Sequence, residues 1–315
     1  MLKDTNPELG LDSIVSGDAE LPNEYWTVGR VVNGDYKPSP VTEVEVVVNP
    51  CQNDVEFYSP LKPAEKAEVV RLAKSVGGIK DRHDKLLGTS FVMKTNAGGG
   101  GVIATNCHVI SESSEIRDGR RILTEKLFVD FAATEDSSDS GIYAEIDPDV
   151  LSYAQTRCFD VALLSVKNAD LPPALPLNQT RIQQEGSSIL LLGLPALSHV
   201  NENSQNPYIR YKDSGTRKFV VPGGITGIDK SNPQFDVLWH VASTEEGQSG
   251  SPIFDRNNFA VIGIHNCCRT FYEDNPIENS SPDFPCASIK TTLPNQAISI
   301  WSILHDPTLG PHIIG

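Results

Sequence analysis

The sequence predicts an all-β protein with two core units and a separate N-terminal segment. The chain has 315 residues, which is more than one ordinary domain, and 39% of them are hydrophobic, enough to fill two cores. From Leu86 onward, short apolar runs of strand length alternate with loops rich in glycine, proline and polar residues. Two β-barrels fit this length and this pattern.

The first 75 residues form an N-terminal extension of different composition. Their first forty residues are rich in proline, glycine, asparagine and acidic residues, which predicts loop or disorder. The alternating stretch 41–48 predicts an exposed strand. Residues 64–76 predict a helix with Pro63 in its first turn and Gly77-Gly78 as its stop. The extension is consistent with a propeptide, a regulatory flap, a docking arm or a plain cover over the barrel surface.

Prolines separate the two predicted cores. The first core covers about 86–168 and the second about 176–292, with Pro172, Pro173 and Pro176 at the crossing. A terminal helix is expected at about 294–304. The strands predicted from apolar runs are 88–93, 102–105, 144–146 and 161–166 in the first core, and 188–194, 218–221, 237–241, 252–254 and 260–264 in the second.

Three short motifs carry residue types suited to nucleophilic catalysis. Ser249 stands between two glycine residues in Gly-Gln-Ser-Gly-Ser-Pro, just before an apolar strand. His108 directly follows the β-type run Ala-Thr-Asn-Cys, and Asp160 heads the apolar strand Val-Ala-Leu-Leu. The chain order is therefore His, Asp, Ser.

Together these motifs resemble the trypsin-like, chymotrypsin-fold serine peptidase superfamily. The order excludes subtilisins, which run Asp, His, Ser, and α/β-hydrolases, which run Ser, Asp, His and would need glycine at Ser251. The resemblance implies two six-stranded antiparallel β-barrels, with the peptidase domain at 76–310. It also implies that Ser249 is the nucleophile, His108 the general base, Asp160 the residue that orients it, and the N–H groups of Gly247 and Ser249 the oxyanion hole.

The residues near the nucleophile indicate a specificity. Thr244 to Gly250, followed by Gly-Ile-His at 263–265, resemble the pattern of glutamyl endopeptidases and viral 3C-like proteases. This implies that Thr244 and His265 bind the side-chain oxygen of Gln or Glu, with protonation of His265 at lower pH favouring Glu. Ser243 stands where trypsins place the aspartate that binds Lys and Arg, so that anion is missing from the expected pocket.

The residue before the nucleophile bears on activation. Digestive trypsins have an aspartate there, which pairs with a new amino terminus after cleavage, whereas this chain has Gln248. That ion pair cannot form, so we expect the oxyanion loop to be held by other contacts.

Charge and cysteine content limit the partners. A net charge of −15 excludes nucleic acid as an expected ligand, since phosphates require clustered Lys and Arg. No run is long enough to span a membrane and no signal peptide is evident, so we expect an intracellular protein, with a secreted mature form as the alternative. The six cysteines are irregularly spaced, which favours reduced thiols. A zinc site at Cys267, Cys268, Cys286 and His265 is disfavoured because adjacent cysteines rarely ligate one ion together. We expect neither metal nor cofactor.

Two functional hypotheses from different classes follow. The first is a serine endopeptidase that cuts protein or peptide substrates after Gln or Glu. The alternative is a catalytically silent peptidase-fold binding or scaffold protein, plugged by the N-terminal extension. The intact set of His108, Asp160 and Ser249 favours the enzyme, and their order disfavours a lipase or esterase. The sequence gives no indication of oligomeric state.

Overall fold

The computed structural model describes residues 30–32, 35–37, 44–46, 61–131, 142–155, 159–167, 169–182, 184–195, 218–242, 244, 246–267 and 295–314. Residues 1–29, the larger part of the forty residues expected as loop or disorder, and the candidate residues Ser243, Cys268 and Cys286 lie outside these ranges.

The N-terminal extension contributes three short strands and one helix to the described structure. Strands β1 (Arg30–Val32) and β2 (Asp35–Lys37) form an antiparallel hairpin, so the loop or disorder expected over the first forty residues is wrong here, where pairing between the two segments makes them strands. Strand β3 (Val44–Val46) lies within the strand predicted at 41–48. Helix α1 (Pro63–Ala73) confirms the predicted helix, with proline at its first position, although it ends three residues early.

The first barrel is closed by six antiparallel strands. In chain order, its strands and an appended hairpin are β4 (Val76–Lys80), β5 (Leu86–Thr95), β6 (Gly101–Thr105), β7 (Ser114–Arg117), β8 (Arg120–Leu123), β9 (Phe128–Asp130), β10 (Tyr143–Gln155) and β11 (Asp160–Val166). The order around the barrel is β11-β6-β5-β4-β9-β10, and β10 pairs with β11 to close it. The β7–β8 hairpin is attached at β10.

The second barrel is closed in the same way. Its elements and the helices that follow are β12 (Ser188–Gly193), β13 (Lys218–Asp229), β14 (Val237–His240), β15 (Pro252–Asp255), β16 (Val261–Cys267), β17 (Asn295–Ser299), α2 (Ile300–His305) and α3 (Gly310–Ile314). The order is β12-β15-β16-β17-β14-β13, and β12 pairs with β13. β3 adds a parallel strand at β13. The predicted fold class, two six-stranded antiparallel barrels of the chymotrypsin-like kind, is confirmed.

Strands at the junction of the barrels are apolar on both faces. Side chains alternate along a strand, so Val92 points into the first barrel while Phe91 and Met93 join a cluster shared by both barrels. In β12, Leu191 belongs to the interior of the second barrel, while its neighbour Leu190 belongs to the shared cluster. This double burial explains why these strands read as unbroken apolar runs.

Helix α1 is part of the shared core. Val69, Leu72 and Ala73 are buried in the same cluster as side chains from both barrels. At the other end of the helix, the Glu65 carboxylate accepts hydrogen bonds of 3.0 and 3.1 Å from the guanidinium of Arg256, in the second barrel. This part of the extension is therefore a structural component of the peptidase body.

The predicted start of the first barrel at residue 86 is wrong. β4 precedes it, and Gly77 and Gly78, expected to stop the helix, lie inside this strand. A Cβ atom on Gly77 would come within 2.9 Å of the Val129 side chain and the Asp130 carbonyl oxygen. Glycine is used here because β4 packs closely on β9, a contact that local sequence does not reveal.

The predicted terminal helix at 294–304 also needs correction, and with it the end of the second barrel at 292. Residues Asn295–Ser299 form β17, which pairs with β14 on one side and β16 on the other. Pairing on both sides overrides the local helical pattern. The helix begins at Ile300 and ends at His305.

Lys218 joins three parts of the fold. Its side chain is buried, and Nζ donates hydrogen bonds to the carbonyl oxygens of Ala73 in α1 (2.6 Å) and Phe131 after β9 (3.0 Å). Burial disfavours the charged form and lowers the pKa of Lys218 to about 7.

We predict that Lys218→Met changes the pH dependence of stability. The pKa of lysine in an unfolded chain is about 10.4, so between pH 7 and that value the unfolded state binds more protons and stability rises with pH. The wild-type free energy of unfolding should therefore gain about 2 kcal/mol between pH 7 and pH 9 relative to the variant. Urea unfolding measures this difference. Lys167→Met, at an exposed lysine, should keep the wild-type dependence, and parallel curves for Lys218→Met would contradict the prediction.

Candidate active site

His108 and Asp160 form a hydrogen-bonded pair in the first barrel. His108 begins a short 3-10 helix after β6, and Asp160 is the first residue of the neighbouring strand β11. The ring Nδ1 lies 2.5 Å from Asp160 Oδ2, and the backbone N–H of His108 donates to Oδ1 at 3.1 Å. One carboxylate therefore bonds both the ring and the backbone of the same residue.

This pair fixes the orientation of the imidazole. The Asp160 side chain is fully buried, and the amide of Asn106 donates to its backbone carbonyl at 2.8 Å. A carboxylate at Nδ1 favours the tautomer with its proton on that nitrogen, which leaves Nε2 as the basic atom. The His108 side chain remains 19% exposed, so solvent can reach the ring.

Ser249 lies on a tight loop between β14 and β15. Gly247 and Gly250, on either side, have φ angles of +86° and +88°, a left-handed conformation that glycine adopts without strain. The hydroxyl of Ser249 donates to the backbone carbonyl of Asn266 at 3.3 Å, and the N–H of Gly250 donates to the carbonyl of His265 at 2.9 Å. The loop therefore rests against strand β16.

The first barrel holds the other side of this loop. The backbone N–H of Thr89 donates to the Ser249 carbonyl at 2.8 Å, and its hydroxyl donates to the Gly247 carbonyl at 2.8 Å. Gln248 is fully buried. Hydrogen bonds from the first barrel therefore hold the nucleophile loop, in which Gln248 cannot form the ion pair found in digestive trypsins. Thr89 was not singled out from the sequence, because a threonine in an apolar strand carries no signal of its distant partner.

The expected pocket residues are only partly placed by the structure. Ser243 lies outside the described residues, and Thr244 is described as partly exposed. His265 lies on β16, 3% exposed, and its N–H donates to the Ser251 carbonyl at 2.9 Å. It therefore sits directly beside the nucleophile loop.

A second histidine supports His265. The Nε2 atom of His240, at the end of β14, lies 3.2 Å from the Nδ1 atom of His265, and the two rings meet edge to face. Both strands pair with β17, which brings the residues together. Sequence reasoning missed His240, whose only signal is a histidine ending the apolar run Val-Leu-Trp.

Burial keeps both imidazoles neutral. It lowers the pKa of His265 to about 3, an effect to which the nearby charge of His108 adds, and lowers the pKa of His240 well below its ordinary value. His265 therefore does not gain the proton that was expected to shift the substrate preference toward Glu at lower pH.

Cys107 is not a second nucleophile. It is a free, buried thiol, and burial raises its pKa to about 12, so the reactive thiolate is not populated near neutral pH. In the described part of the chain, no three His, Cys, Asp or Glu residues are grouped to hold a metal ion. The structure does not test the zinc hypothesis, because the side chains of Cys267, Cys268 and Cys286 lie outside the described residues.

Comparison with known proteins agrees with this architecture. Residues 88–264, more than half of the chain, match the model of the trypsin-like peptidase domain. The chain belongs to this trypsin-like peptidase family. The matched span contains His108, Asp160 and Ser249.

Solved structures that are similar to this chain are distant in sequence. Rv3671c from M. tuberculosis, in an inactive mutant form, is 18% identical over 85% of this chain and 97% of its own, with a TM-score of 0.47. Deg5 is 19% identical over 66% of this chain and 87% of its own, with a TM-score of 0.45. A serine endoprotease from Yersinia pestis is 21% identical over 67% of this chain and 60% of its own, with a TM-score of 0.43. No curated protein matches the chain. Within the described residues, no helix is long and apolar enough to cross a membrane.

Proposed function

We propose that this trypsin-like peptidase is an active serine endopeptidase with His108, Asp160 and Ser249 as its catalytic triad. The observation that carries the proposal is the 2.5 Å contact between His108 Nδ1 and the buried carboxylate of Asp160. That contact prepares one imidazole to accept a proton at Nε2, in a family whose chemistry uses such a base.

The reaction follows from these groups. His108 removes the proton of the Ser249 hydroxyl as its oxygen attacks a peptide carbonyl, and the imidazolium is stabilised by Asp160. The same proton then passes to the departing amine, leaving an acyl-enzyme that water hydrolyses. The N–H groups of Gly247 and Ser249 stabilise the oxyanion, and each donor contributes roughly 3 kcal/mol.

The neutral state of His265 sharpens the proposed specificity. With Thr244, His265 would bind the side-chain oxygen of the residue before the cut bond, as in glutamyl endopeptidases and 3C-like proteases. A neutral imidazole does not offset the charge of a carboxylate, so we propose that Gln is preferred to Glu. Large apolar side chains would leave buried polar groups unpaired and be disfavoured.

We predict that a fluorophosphonate probe labels Ser249 and that Ser249→Ala abolishes both labelling and peptide hydrolysis. Loss of the nucleophile should lower kcat by several orders of magnitude with the fold retained. Ser251→Ala is a matched control, because Ser251 is a buried serine two residues away on the same loop. A folded wild type that does not react would instead support the silent scaffold.

The role of Asp160 gives a separate test. Asp160→Asn preserves size but donates a hydrogen bond to Nδ1, which selects the wrong tautomer of His108. We expect kcat to fall by about 10³- to 10⁴-fold. Steady-state hydrolysis of one peptide measures this, with circular dichroism to verify folding. A loss of less than tenfold in a folded variant would contradict the proposed role.

We further predict that matched peptides are cut faster after Gln than after Glu, Lys or Leu. Because His265 stays neutral, its protonation should not lower the ratio of kcat/KM for Gln over that for Glu between pH 8 and pH 5. His265→Ala should lose the preference. If the parent cuts best after Lys or Leu, or if His265→Ala keeps the original order, the pocket assignment is wrong even where the triad stands.

A further inference from the structure

Thr89 connects the first barrel to the nucleophile loop through both its backbone and its side chain. It lies on β5 and is fully buried. Its N–H donates to the Ser249 carbonyl and its hydroxyl to the Gly247 carbonyl, each at 2.8 Å. Two carbonyl groups of one short loop are therefore held by a single residue of the opposite barrel.

The remaining polar atoms of Thr89 are also engaged. The hydroxyl accepts a hydrogen bond from the N–H of Leu194 at 3.0 Å, and the carbonyl accepts one from the Thr105 hydroxyl at 2.7 Å. A hydroxyl that both donates and accepts in a buried site has one rotation that satisfies both partners. Its position is therefore fixed in advance of any substrate.

Glycine makes this close approach possible. A Cβ atom on Gly250 would come within 2.1 Å of the Thr89 carbonyl oxygen and 2.5 Å of the Thr105 hydroxyl. Position 250 therefore has no room for a side chain next to Thr89.

Hydrogen bonds to the carbonyls of the nucleophile loop fix the orientation of its peptide groups. In a trans peptide the C=O and N–H groups point in opposite directions. The carbonyls of Gly247, Gln248 and Ser249 all accept hydrogen bonds, two from Thr89 and one from the Ser251 N–H at 3.0 Å. The bond at Gln248 sets the direction of the Ser249 N–H, and the two bonds from Thr89 hold the peptides on either side of it.

We propose that the Thr89 hydroxyl is a positioning group that keeps the oxyanion loop in its working geometry from across the barrel junction. The inference rests on the proposed peptidase function. It assigns to a neutral hydroxyl, already in place in the folded chain, the task that Gln248 cannot perform through an ion pair.

The test compares Thr89→Val, which removes only the hydroxyl from a side chain of similar shape, with Thr89→Ser, which restores it. Thr89→Val should lower kcat by about 10- to 100-fold with KM changed less than threefold, since an oxyanion donor acts in the transition state. Affinity for a peptide aldehyde, whose adduct carries the oxyanion, should weaken by a similar factor. Thr89→Ser should recover most of the lost kcat and of the lost aldehyde affinity.

Ser90→Ala is the matched control. Ser90 is a buried serine on the same strand, and its hydroxyl donates a hydrogen bond within the first barrel, to the Gly77 carbonyl. The kcat of Ser90→Ala should match wild type.

The outcomes separate the inference from the function beneath it. Wild-type kcat in Thr89→Val, or an equal loss in Thr89→Val and Thr89→Ser, overturns the role of the hydroxyl while the peptidase assignment stands. If Thr89→Val does not fold, Thr89→Cys replaces it as the weaker donor, and an unchanged kcat there overturns the proposal. If wild type neither hydrolyses peptides nor reacts with a fluorophosphonate, the proposed function fails and this inference falls with it.

Discussion

The apolar layer between the two barrels is the constraint on which the rest of the structure depends. Each barrel fills its own interior, and the strands that meet at the junction must bury their outer faces as well. The candidate base and its carboxylate come from the first barrel and the candidate nucleophile from the second. Their relative placement is therefore set by how two large apolar surfaces pack, and close packing resists small displacements.

Burial at this junction also sets the electrostatics. The same removal of water that strengthens the contact of His108 with Asp160 lowers the pKa of His265 and Lys218 and raises that of Cys107. The side chains of His265, Lys218 and Cys107 are thereby driven toward their neutral forms.

The fold class and the three motifs could be predicted from the sequence because they are local. A strand is visible as an apolar run, and a glycine-flanked serine as a turn. β4 and β17 were missed because their pairing with distant strands, rather than their own composition, makes them strands. Thr89 and His240 were missed for the same reason, since the partners that give them meaning are more than twenty residues away in the chain.

Helix α1 changes what counts as the smallest unit that can fold. The match to the family model begins at residue 88, yet Val69, Leu72 and Ala73 fill the junction of the barrels, and Ala73 supplies an acceptor for Lys218. A fragment cut at residue 88 would expose an apolar surface and leave the buried Nζ of Lys218 without its acceptor at Ala73. Any processing of the amino terminus that keeps the protein native must therefore cut before Leu61, and exchange of this domain between proteins must carry the helix with it.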